Sequence, residues 1–77
     1  MKAREKDEEL FLKTLGNRIA EIRREKAITQ VELGYRCDIE KSNMSRIEAG
    51  NTNPTVLMLR KIAAALEITL SDLIAPK

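Results

Sequence analysis

The chain has 77 residues, 43% hydrophobic and 34% charged, with a formal net charge of +2, which describes one small globular domain. Aromatics make up only 3%, Phe11 and Tyr35 alone, so the core must be aliphatic, as suits packed helices. One cysteine and no histidine exclude an internal disulfide, leave too few ligands for zinc, and remove the usual general base, so neither a metal, a cofactor nor an enzyme is expected.

Residues 1–10 form a charged extension, either frayed or adding a first helical turn, ahead of a domain over 11–75. The start of the chain does not read as a signal peptide. The longest apolar run, Ile62 to Leu66, is far short of the roughly 20 residues that span a bilayer. A cytoplasmic location is expected.

From Phe11, the apolar positions Leu12, Leu15, Ile19 and Ile22 recur at three- and four-residue spacing and predict a first helix to about Lys26, with Gly16 as a weakness inside it. Thr29 with Glu32 three residues on is a capping box that opens a second helix, with Leu33 inward, ending near Cys37. Cys37 is expected to be a small buried hydrophobe. Asp38 and Ile39 make a turn. A third helix runs from about Lys41 to Ala49 with Met44 and Ile47 inward, and Gly50 stops it. Pro54 breaks the polar stretch Asn51 to Asn53. Thr55 caps a fourth helix with Leu59, Ile62, Ala63 and Leu66 inward, and Thr69 caps a fifth, Leu70 to Ile74, with Pro76 ending the fold. The expected fold is all-α, a five-helix orthogonal bundle.

Two charges fall on buried stripes. Helical residues step about 100°, so Arg23 lies about 40° from Ile19, and Glu48 about 40° from Met44. Unpaired burial of either would be expensive, which predicts an Arg23–Glu48 ion pair with further hydrogen bonds. Two separate charges snorkelling at the core's edge are the alternative. Opposite the core on the third helix lie Ser42, Ser45, Arg46 and Ala49, flanked by Lys41 and Asn43. That composition suits an ordinary solvated face or entry into a major groove about 12 Å wide.

The string TQVELGYRCDIEKSNMSRIEAG, from Thr29 to Gly50, resembles the helix-turn-helix of phage repressor and Cro proteins, the xenobiotic-response-element family. Ile19, Ile22 and Arg23 upstream, Asn51 to Pro54, Leu59, Ile62, Ala63 and Leu66, and then Ile68, Leu70, Asp72 and Leu73 match in order, so the resemblance covers roughly 12 to 74. It implies a lambda-repressor-like DNA-binding domain. Lys41, Ser42, Asn43 and Arg46 would meet base edges. Thr29, Gln30, Ser45, Asn51 and Asn53 would hold phosphates, Gln30 with help from its helix dipole. Arg23 and Glu48 match an ion pair common in the family. Ala27, Asp38 and Glu67 stand where relatives usually carry glycine, and Gly34 where they carry alanine.

Single reading heads cover few base pairs, so a homodimer on an inverted repeat of double-stranded DNA is expected, with reading helices about 34 Å apart. Val56, Leu57, Met58, Leu70 and Ile74 would form its interface through helices four and five, unless they complete the core or pack on the extension. The resemblance implies a transcriptional regulator in the format of prophage repressors or restriction–modification controllers. An antitoxin or other protein-interaction module with secondary DNA binding is the alternative. No membrane or small-molecule partner is expected.

Overall fold

A computed structural model of the protein describes residues 5–75. Among the described residues the secondary structure is helical throughout: α1 (Lys6–Glu25), α2 (Gln30–Cys37), α3 (Lys41–Ala49), α4 (Val56–Ala65) and α5 (Leu70–Ile74). The α1 helix packs chiefly on α3, α2 lies against both α3 and α4, and α5 closes the bundle between α4 and α1. The centre is aliphatic, with Ile19, Leu33, Met44, Ile47, Ile62, Leu66 and Leu73 fully buried.

Of the two forms expected ahead of the apolar repeat, the described residues take the helical one. The α1 helix begins at Lys6, before the apolar periodicity sets in, so residues 6–10 lengthen the helix at its amino end. The cause is local charge chemistry. The Glu8 carboxylate accepts the backbone N–H of Glu5 at 3.4 Å, and Asp7, Glu8 and Glu9 sit at the positive end of the helix dipole. The expected role of Pro76 lies outside the described residues. Threonine caps act at three starts: the hydroxyls of Thr29, Thr55 and Thr69 accept the N–H of Glu32, Met58 and Asp72 at 3.0, 3.1 and 2.9 Å.

Four helix ends share one device. Ala27, Asp38, Gly50 and Glu67 all adopt left-handed backbone, with φ of 58°, 59°, 77° and 61°. The next residue then donates its N–H back into the last turn: Ile28 to Arg23, Ile39 to Gly34, Asn51 to Arg46 and Ile68 to Ala63, at 3.0, 2.8, 2.9 and 3.0 Å. Three of those following residues are isoleucines that pack on or in the core. Their burial holds Ala27 and Glu67 in a conformation that costs a residue bearing a Cβ about 1–2 kcal/mol.

Two glycines prove to be sites of close approach. A Cβ built at Gly16 would lie 2.6 Å from the Ile47 carbonyl oxygen and nearer still to that of Glu48, so Gly16 lets α1 meet the end of α3. The reading of Gly16 as a mere weakness is therefore corrected. A Cβ at Gly34 would stand 2.6 Å from the Ile39 carbonyl oxygen, so the missing methyl there tightens the turn between α2 and α3.

Candidate nucleic-acid interface

The bend between α2 and α3 places the two helices that could meet a duplex. Asp38 ends α2 with φ 59° and ψ 43°, and Ile39 is buried behind it. With Met44 and Ile47 in the core, α3 turns Lys41, Ser42, Ser45, Arg46 and Ala49 outward as exposed residues, and Asn43 is half-buried at the edge. The face has two long cations, short polar groups and no bulky apolar side chain. Neither Lys41 nor Arg46 is spent on an ion pair among the described residues.

Beneath this face is a buried charge cluster. Arg23 Nε and Nη2 donate to the two oxygens of Glu48 at 2.7 and 3.0 Å, and Arg23 Nη1 donates to the Ile28 carbonyl at 3.0 Å. The residues are 9% and 8% exposed, so desolvation would be severe without these partners, and no buried side-chain nitrogen or oxygen among the described residues is left unpartnered. The hydrogen-bonded Glu48 carboxylate pushes the Arg23 guanidinium above the usual arginine range, against the opposing effect of burial. The pair links α1 to α3 and, through Ile28, to the start of α2.

Gln30 extends the cluster in a way the sequence did not disclose. Its Nε2 donates to Glu48 at 3.0 Å, so one amide N–H is already engaged, and its carbonyl oxygen and second N–H remain for an outside partner. The missing signal is a side-chain contact across 18 residues, invisible to capping or periodicity rules. Thr29 uses its hydroxyl oxygen to cap α2 and keeps its O–H as a donor. Asn51 is exposed just past α3, its backbone N–H bonded to Arg46. Asn53 is exposed as well, but shares a shallow depression with Asp7 and Glu8, whose charge opposes a phosphate there.

The five expected interface residues are distributed over different surroundings. Val56 and Leu57 are 66% and 67% exposed, while Met58 and Leu70 are half-buried against the core. Leu57 borders Arg60, Lys61 and Ala64 on the outside of α4. Ile74 lies by Leu10 and Phe11 of α1. Cys37 is buried, and its thiol donates to the Lys61 carbonyl at 3.6 Å. Burial pushes that thiol above its ordinary value, with Lys61 acting more weakly in the other direction, so it is a poor nucleophile.

Residues 19–73 match the helix-turn-helix family model. The HTH-type transcriptional regulator y4dJ of Sinorhizobium fredii is 38% identical over 64 residues, which cover 83% of this chain and 83% of that protein. The immunity repressor protein of Bacillus phage phi105 is 36% identical over 61 residues, 79% of this chain but only 42% of the repressor. The crystal structure of the restriction-modification controller protein C.AhdI from Aeromonas hydrophila superposes with a TM-score of 0.79 at 29% identity, over 80% of this chain and 94% of the controller. The chain therefore belongs to the helix-turn-helix family, the phage-repressor and Cro group of transcriptional regulators that bind DNA through this domain.

Proposed function

We propose that the protein is a sequence-specific transcriptional regulator acting in the cytoplasm, which lays α3 in the major groove of an inverted-repeat operator as a homodimer. The observation carrying this reading is the outer face of α3, polar and cationic, on a helix whose other face is anchored by Met44, Ile47 and the Arg23–Glu48 pair. Lys41 and Arg46 reach for guanine acceptors, and Ser42 and Asn43 for neighbouring base edges. Thr29, the free half of the Gln30 amide, Ser45 and Asn51 hold phosphates, and Asn53, beside Asp7 and Glu8, is the least suited of the five to do so. The amino end of α2 adds the positive pole of its dipole.

The dimer forms through α4 and α5, with Val56 and Leu57 as its exposed apolar contribution and Met58, Leu70 and Ile74 alongside. Two copies set the reading helices one DNA turn apart, about 34 Å. The test is selection of bound duplexes from a random pool by the purified protein and by Arg46→Ala. A paired inverted motif is expected, with specificity lost at one position per half-site in the variant, at about 1–3 kcal/mol. An unstructured set of bound sequences, or the same motif and affinity in both proteins, would sink the reading. The exposed Val56 and Leu57 also suit an antitoxin that masks a protein partner. A toxin reading frame beside the gene, together with loss of toxin binding in Leu57→Lys, would favour that alternative.

A further inference from the structure

The α1 helix has a second face that the bundle leaves uncovered. Asp7, Leu10, Phe11, Thr14 and Arg18 fall within an arc of about 100° on α1, beside the stripe that enters the core. With Leu15, Leu73 and Ile74 they line an open, largely apolar groove of about 290 Å³ between α1 and α5. Leu10 is 65% exposed and Phe11 54%. At one end, Arg18 is held by donating Nε and Nη2 to the Asp72 carbonyl at 3.3 and 3.1 Å, while its Nη1 makes no bond among the described residues. Asp7 stands at the other end.

We propose that this groove is occupied by the same face of a second copy of the chain, α1 against α1 in antiparallel orientation about a two-fold axis level with Leu12 and Lys13. The order of residues along the stripe argues for it. In that register Asp7 of each copy lies opposite Arg18 of the other, so the charge complementarity is satisfied twice. The large Phe11 lies over the small Thr14, so each ring enters the other copy's groove, and Leu10 lies over the groove's apolar floor, where the edge of the buried Leu15 is open. A parallel arrangement would set Asp7 on Asp7 and Arg18 on Arg18. The antiparallel two-fold therefore matches both the charges and the sizes along the stripe. The contact needs no DNA and is separate from Val56 and Leu57, so together with an α4–α5 contact it would join two dimers.

Equilibrium sedimentation of the full chain without DNA, over a concentration series, tests the proposal. Leu57→Lys removes the α4 contact and is expected still to self-associate to a dimer through α1. Adding Phe11→Lys should return it to the monomer mass, whereas adding Val31→Lys, at an equally exposed apolar position on α2, should not. Asp7→Arg and Arg18→Asp should each weaken the association several-fold, and the two together should restore it, an outcome that loss of Arg18's bond to Asp72 cannot mimic. Circular dichroism checks that each variant is folded. A Leu57→Lys protein that stays monomeric throughout would overturn the proposal, as would a Phe11→Lys change without effect on mass, which would leave the groove to another occupant. A loss of operator binding in Arg46→Ala without any change in these masses concerns the DNA reading alone.

Discussion

Gln30 donates its side-chain amide to Glu48 at 3.0 Å, and the same carboxylate holds the Arg23 guanidinium. The first residue of α2 is thereby tied to the buried end of α3 and to α1, so the three helices that frame the candidate interface share one anion. Glu48→Ala is expected to leave Arg23 buried and unpaired, costing about 3–5 kcal/mol in urea unfolding. The double change Arg23→Met and Glu48→Leu should recover most of that. Gln30→Ala removes only the outer bond and should cost about 0.5–1.5 kcal/mol. A Glu48→Ala protein as stable as the parent would contradict the account.

The approach of α1 to the end of α3 depends on the hydrogen at Gly16. Gly16→Ala would drive a methyl against the backbone carbonyls of Ile47 and Glu48, which cannot move aside as a flexible side chain would. Despite alanine's better helix propensity, the expected result is a loss of about 1–3 kcal/mol in unfolding free energy. A gain in stability would mean that the two helices can separate at little cost.

Ala27 and Glu67 carry a Cβ in left-handed backbone. Replacing either by glycine relieves local strain and adds entropy to the unfolded chain. The first effect is the larger, so Ala27→Gly and Glu67→Gly should each stabilise by about 0.5–1 kcal/mol. The sites lie at different helix ends, so their effects should add in the double variant. Thermal melts read the result, and a lowered midpoint in both single variants would count against the strain argument.

Cys37 should react with a thiol reagent only as fast as the protein opens, because burial keeps it protonated and screened. The sign for stability follows from a folded thiol raised above its unfolded value. The contribution is fully present at neutral pH, below the unfolded value, and is lost as the pH rises through the folded one. Stability measured against pH on the alkaline side should therefore fall less steeply in Cys37→Ala than in the parent, whatever the fixed cost of the smaller side chain. Identical slopes would remove Cys37 from the explanation.

Much of the architecture was legible because its signals are short-ranged. Thr29, Thr55 and Thr69 cap helices within three residues of themselves, Gly50 stops α3, and the spacing of Ile19, Met44, Ile47, Ile62 and Leu66 identifies the inward faces. The proximity of Arg23 and Glu48 was inferred from rotation about each helix, since a charge on a buried stripe needs a partner. The start of α1 was left open between a frayed and a helical form, because its first turn is stabilised by carboxylates rather than by an apolar repeat.

The order of five helices, their inner faces and the polar outer face of α3 follow from the sequence by itself, through capping, chirality and period, which act over a few residues. Tertiary structure decided what depends on two distant segments meeting: the hold of Glu48 on Gln30, the contact that Gly16 permits, the left-handed ends secured by Ile28 and Ile68, and the exposure of Leu10 and Phe11 beside Ile74. Local rules state which way a side chain points. Only packing determines which backbone or side chain it finds there, because that depends on the summed approach of whole helices.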